Sequence, residues 1–248
     1  MAYDNHKFCW HGIISTDTDK AEAFYTEVLG WQSMKVPMGD EEATMFAAGG
    51  VPRAHLGAPN MEGEPSHWSN YLRVEDVDAG AAAATDNGGT VLVPPTDIPV
   101  GRFSVIQSPT GAVVSLFHES DPTAANAPAA EGGMHWTELN STDLDADLAF
   151  LKGAFGITSQ EMPMPMGAYH LLQSGDTQVG GAMTSQVPNA SFWLTWVNVA
   201  NVDETLERVG TNGGQVISPV MDVPNVGRMA VCQDPTGGSF GVITPANG

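Results

Sequence analysis

At 248 residues and 42% hydrophobic, the chain can bury one large core or two of ordinary size. It holds no run approaching the ~18 consecutive apolar residues of a membrane-spanning helix. Nine Lys and Arg against 29 Asp and Glu give a formal net charge of −20, which repels nucleic-acid phosphate and anionic lipid and leaves a small molecule as the expected partner.

The N-terminus has no basic flank followed by an apolar run, and Cys9 and Cys232 sit singly in apolar stretches. These features predict a cytoplasmic protein with reduced thiols.

Phe8 to Ser15 reads as a strand, and Thr16-Asp17-Thr18-Asp19 supplies capping side chains and negative charge for a helix start. Ala21, Phe24, Tyr25 and Val28 have helical spacing, and Gly30 ends the run. From Trp31 to about Gly57, apolar runs broken by Gly and Pro predict a three-stranded meander. The unit recurs: a strand at Tyr71–Val74, an Ala-rich helix over Asp76–Asn87, then strands at Thr90–Val93, Arg102–Gln107 and Ala112–His118. Asp121 to Gly133 is small, polar and Pro-containing, as a linker is.

The second half repeats the first. Val-Gly-Arg-Phe-Ser-Val-Ile-Gln-Ser-Pro-Thr-Gly at 100–111 returns as Val-Gly-Arg-Met-Ala-Val-Cys-Gln-Asp-Pro-Thr-Gly at 226–237. Trp10 matches Trp136, Phe24 matches Phe150 and Gly30 matches Gly156, all 126 residues apart. Such self-similarity predicts an α+β protein of two tandem domains, residues 1–120 and 134–248 with a linker over 121–133, each a pair of βαβββ modules.

A helix carrying Phe24-Tyr25 and ending Leu29-Gly30-Trp31, three following strands, and a Pro-x-Gly turn before the last strand of each half resemble the vicinal-oxygen-chelate superfamily: glyoxalase I, bleomycin-resistance proteins and extradiol dioxygenases. The resemblance implies modules paired into a cup-shaped mixed sheet with helices outside, and a small-molecule ligand. It also implies a monomer acting as a pseudo-dimer, or a homodimer.

Metal-dependent members of that family hold a divalent ion with His, Gln or Glu on the first and last strands of the modules. Carried onto this chain, those positions fall at Trp10, His55, Ser69 and Ser115 in the first half and at Trp136, Gly180, Leu194 and Gly241 in the second. An indole is a donor only, and of these side chains His55 alone is a ligand of the usual kind. No cofactor is therefore expected. The alternative is a metalloenzyme holding Fe, Mn, Ni or Zn through His11, His55, His135 and Glu138, with glyoxalase or ring-cleaving activity; a further alternative is a non-catalytic interaction module.

The two copies differ most where Glu138 replaces Gly12, Asn140 replaces Ile14, and Tyr169-His170 replaces Thr44-Met45. These changes make the second half the more polar and the expected site. A carboxylate entering a partly apolar cavity is suited to general-base work, so Glu138 and His170 are the catalytic candidates. Trp10, Trp136, Asn140 and Tyr169 are candidate ligand contacts, and the Met-rich run from Met162 to Gly167 a candidate soft wall. Arg228, like its counterpart Arg102, is a candidate for an anionic ligand group, or else for a bridge across the two halves.

Overall fold

The computed structural model describes residues 5–39, 41–121, 131–164 and 167–246. The first half contains β1 (Phe8–Ile14), α1 (Thr18–Leu29), β2 (Gln32–Met38), β3 (Glu41–Ala48), β4 (Val51–Gly57), β5 (His67–Arg73), α2 (Val77–Asp86), β6 (Thr90–Ile98), β7 (Gly101–Gln107) and β8 (Val113–Glu119). The second half contains β9 (Met134–Ser141), α3 (Leu144–Phe155), β10 (Thr158–Met164), β11 (Gly167–Ser174), β12 (Thr177–Thr184), β13 (Phe192–Asn198), α4 (Val202–Thr211), β14 (Gln215–Val216), β15 (Met221–Val223), β16 (Gly227–Gln233) and β17 (Ser239–Pro245). Four βαβββ modules follow one another, as the repeat predicts, with the strand after α4 split into β14 and β15, both of which pair with β16.

The same local chemistry builds equivalent elements. Asp17 caps α1 by accepting from the Lys20 amide at 3.1 Å, and Asp143 caps α3 by accepting from Ala146 at 3.1 Å. Gly30 and Gly156 close those helices at φ 65° and 66°, a left-handed turn that costs a glycine little.

Each half contributes one mixed sheet. Its modules order their strands alike, β2-β3-β4-β1 and β5-β8-β7-β6 in the first half, β10-β11-β12-β9 and β13-β17-β16-β14 in the second, with β15 also pairing β16. The meander strands pair antiparallel and β1/β4, β5/β8, β12/β9 and β13/β17 pair parallel.

Sequence repeat and core packing divide the chain differently. One compact unit draws its described residues from Met1–Trp10, Asn70–Asn126 and Thr137–Trp193; the other draws its own from His11–Ser69, Ala127–Trp136 and Leu194–Gly248. The second module thus shares a unit with the third, and the first module with the fourth. Leu72, Ile106, Leu116, Leu139, Phe150 and Leu172 centre one core; Phe24, Tyr25, Trp31, Phe46, Trp68 and Phe240 centre the other.

In the unit built from the outer modules, the Tyr25 hydroxyl donates to Asp234 Oδ2 at 2.7 Å and accepts from the Trp68 indole at 2.8 Å. Asp234 Oδ1 meanwhile takes the Thr236 amide and hydroxyl, both at 2.7 Å. A buried carboxylate is tolerated because its lone pairs are used.

Candidate functional site

Across parallel strands in register, partners share a face. Glu138 on β9 stands opposite Gly181 on β12, which in turn opposes Leu171 on β11. One step along, Asn140 opposes Met183, Met183 opposes Tyr169, and Tyr169 opposes Met162 on β10. The intervening residues Leu139, Ala182 and Leu172 join Phe150 and Leu151 of α3 in the core. The third module therefore has a helix-packed face and a second face carrying Glu138, Asn140, Tyr169, Leu171, Met183 and Met162.

Glu138 is 7% exposed and Asn140 6%. The Asn140 amide donates to Glu138 Oε1 at 3.2 Å, which orients the carboxylate from two residues along its own strand. Gly181 places no side chain beside Glu138.

His170 lies on the other face. It opposes Ala182 and Glu161, so strand alternation that puts Tyr169 on the face of Asn140 turns His170 toward the helix side, with Nδ1 buried and without a partner among the described residues. The register thus sets the two catalytic candidates, Glu138 and His170, on opposite faces of the sheet. Trp136 is half-buried and belongs to the other compact unit, and Trp10, half-buried, belongs to the unit that holds Glu138. In the Met-rich run, residues 165–166 lie outside the described residues, as do 122–130 of the expected linker.

The first module presents the reverse arrangement. Gly12 on β1 stands opposite His55 on β4, and His55 opposes Met45. A Cβ at Gly12 would come 2.7 Å from His55 Nε2 and closer still to Cε1. In each half one polar side chain lies across from a glycine, His55 over Gly12 and Glu138 beside Gly181. Burial pushes the His55 imidazole down to about 4, partly offset by a hydrogen bond to the His11 backbone, so the ring is neutral near pH 7.

Arg228 is occupied as a brace. Its Nε and Nη2 reach Asp203 at 3.0 and 2.8 Å and its Nη1 reaches Asp222 at 2.7 Å. Arg102 holds Asp78 and Asp97 in the same way. Each arginine ties the first turn of a helix to the adjoining hairpin of its own module, which corrects the expectation of a bridge across the two halves. Sequence reasoning passed over a buried ion pair between Arg73 and Glu119 and the buried Arg53, since neither stands out from an alternating strand.

The fourth module adds a packing detail. Trp196 on β13 opposes Gly241 on β17, and a Cβ at Gly241 would press into the indole, 2.7 Å from Cζ3. Two shallow depressions, about 240 Å³ against Leu148, Lys152 and Ile157 and about 350 Å³ along α1 between Asp19 and Glu27, hold none of the expected site residues.

Residues 7–116 and 111–240 each match the model of the Glyoxalase/Bleomycin resistance protein/Dioxygenase superfamily. The chain is 36% identical over 247 residues to "Putative glyoxylase CFP32" of Mycobacterium tuberculosis (strain CDC 1551 / Oshkosh), covering 96% of this chain and 94% of that one. The chain belongs to this superfamily.

Among solved structures it resembles the Mn(II)-bound glyoxalase from Novosphingobium aromaticivorans, with a TM-score of 0.66 and 17% identity over 97% of this chain and 82% of that one. It also resembles the 2,3-dioxygenase LapB from Pseudomonas sp. KL28, with a TM-score of 0.65 and 12% identity over 97% of this chain and 92% of that one.

The manganese in that glyoxalase overturns the expectation that a protein of this kind needs no cofactor. The donor set of this chain does not itself fit the ion: no three His, Cys, Asp or Glu converge among the described residues, and the last-strand position Gly241 is covered by the Trp196 ring. Of the alternative ligands, His55 bonds the His11 backbone and the His135 imidazole bonds Asn198. No helix among the described residues is long and apolar enough to cross a membrane.

Proposed function

We propose that the Glu138 face of the third module binds an apolar or aromatic small molecule and that Glu138 moves a proton on it. The observation that carries this is a buried carboxylate held by Asn140, beside a glycine, on the strand face that the helix leaves alone. Leu171, Met183 and Met162 supply an adaptable apolar wall, and Tyr169 an aromatic edge with a hydroxyl. The relative's name suggests the reaction: in the isomerisation of a 2-oxoaldehyde hemithioacetal, a proton leaves the carbon bearing the hydroxyl, a proton is returned to the adjacent carbonyl carbon, and the hydroxyl proton passes to the former carbonyl oxygen. A single carboxylate can take the first and give the second. The tandem repeat leads us to assign this work to a monomer, with a homodimer as the other outcome of light scattering.

The test is turnover of the methylglyoxal–glutathione hemithioacetal by wild type and Glu138→Gln, with chelator and again with added Mn(II), Fe(II), Ni(II) or Zn(II). The reading expects Glu138→Gln to lower kcat by roughly 10²–10⁴-fold while substrate still binds. Equal rates in the two proteins under every metal condition would sink it.

A further inference from the structure

Arg53 is the anomaly among the five arginines of this acidic chain. Arg102 and Arg228 each hold two aspartates, Arg73 pairs with Glu119, and Arg208 donates to the Val28 carbonyl and the Thr205 hydroxyl. Arg53 is 7% exposed, and among the described residues its guanidinium makes no hydrogen bond or ion pair; its Nε is buried outright. Burial alone pulls its protonation equilibrium down, with no carboxylate acting on it. An unpaired charge is normally kept in water or given a partner when buried, because desolvation without compensation is costly.

The backbone does not require an arginine there. On β4, Ala54 opposes Phe46 and Pro52 opposes Ala47, so Arg53 is the extra residue of a β-bulge. The second half keeps the same bulge: Gly180 opposes Leu172, Gln178 opposes Gln173, and Val179 is the extra residue, 8% exposed and packed in a core. An apolar side chain satisfies this position in one copy, so the arginine of the other answers a different need. Bulges release a side chain from strict alternation and are frequent beside binding sites.

We propose that Arg53 is an oxyanion-binding residue of the first module, taking the carboxylate of a small organic acid. With Nε buried, the planar end-on fork of Nη1 and Nη2 matches a carboxylate through two parallel bonds. One guanidinium balances one negative charge, and a net charge of −20 disfavours the extra charge of a phosphate dianion. Burial of the position favours an acid carried on an apolar body, for which benzoate is the probe. This site is independent of Glu138, which lies in the other half.

The experiment compares thermal midpoints of wild type and Arg53→Met in sodium benzoate and in sodium chloride of equal ionic strength, with the Arg53 Nε–H resonance followed in the same titration. A ligand that binds only the folded state raises the midpoint as its concentration passes Kd. Expected results are a benzoate-specific rise in wild type, a shift of the Nε–H signal, and at least roughly tenfold weaker binding by Arg53→Met, whose midpoint without ligand is at or above that of wild type. No benzoate response in wild type, or an equal response in both proteins, overturns the proposal. If Arg53→Met does not fold, Arg53→Lys keeps the charge without the fork, and undiminished benzoate binding by it is likewise fatal to the idea.

Discussion

Gly12 faces His55 across the parallel pair of β1 and β4, and the imidazole occupies the volume any side chain at residue 12 would need. Gly12→Ala should therefore cost about 1–3 kcal/mol, the usual penalty of overpacking a rigid site. In chemical denaturation the loss should shrink when His55→Ala is added, because the two residues share one space. Additive losses would show that the ring moves aside.

The same imidazole makes stability depend on pH. His55 titrates at about 4 when folded and near 6.5 when unfolded, so between those values the unfolded chain binds the extra proton. Stability conferred by the neutral ring is complete above pH 6.5 and is lost as pH falls toward 4, by about 3 kcal/mol in all. Relative to wild type, His55→Gln should flatten urea-derived stability against pH in that window. A parallel offset between the two curves would assign the acid sensitivity to other groups.

Trp196 lying on Gly241 predicts that Gly241→Ala loses about 1–3 kcal/mol. Gly241→Glu, which would place a carboxylate at the last-strand position the family resemblance points to, should not fold unless Trp196 is also cut to Ala. A stably folded Gly241→Glu single variant, read by circular dichroism and melting, would mean that the indole is easily displaced.

Tyr25→Phe deletes one oxygen and strands two partners, Asp234 Oδ2 and the Trp68 indole N–H. With each buried orphan costing about 1–3 kcal/mol, the total should be about 2–6 kcal/mol. Calorimetry that finds a loss under about 0.5 kcal/mol would place water in the gap.

Both cysteines have thiols pushed up to about 12 by burial, which withholds the thiolate at neutral pH. Ellman's reagent at pH 8 should label neither in the native protein and both after unfolding. Rapid labelling of native Cys9 or Cys232 would contradict that burial.

The modules were legible because their signals are local. Asp17 and Gly30 bracket α1, Asp143 and Gly156 bracket α3, and period-two runs separated by Gly and Pro marked the meanders. Glu138, Asn140 and Tyr169 stand out as candidates when the copies are compared, which exposes polar substitutions on an otherwise repeated strand. The face His170 takes was not legible, because adjacency in sequence says nothing of which neighbour faces the helix until register is known. The braces of Arg102 and Arg228 were not legible because their helix aspartates, Asp78 and Asp203, lie 24 and 25 residues away in sequence and come together only in the folded module. Arg53 gives no signal at all, since a lone arginine on a strand reads as solvated.

The hydrogen bond from Tyr25 to Asp234 spans 209 positions of sequence. During synthesis the first module leaves the ribosome with Phe24, Tyr25, Trp31 and Phe46 uncovered, and the residues that complete their core, among them Val197, Ala230 and Phe240, emerge last. The middle modules hold all the partners of their own core once residue 193 is made. Nascent chains should thus become protease-resistant from the middle outward, with the earliest-made segment waiting longest, an order that exposes it to chaperones and to aggregation.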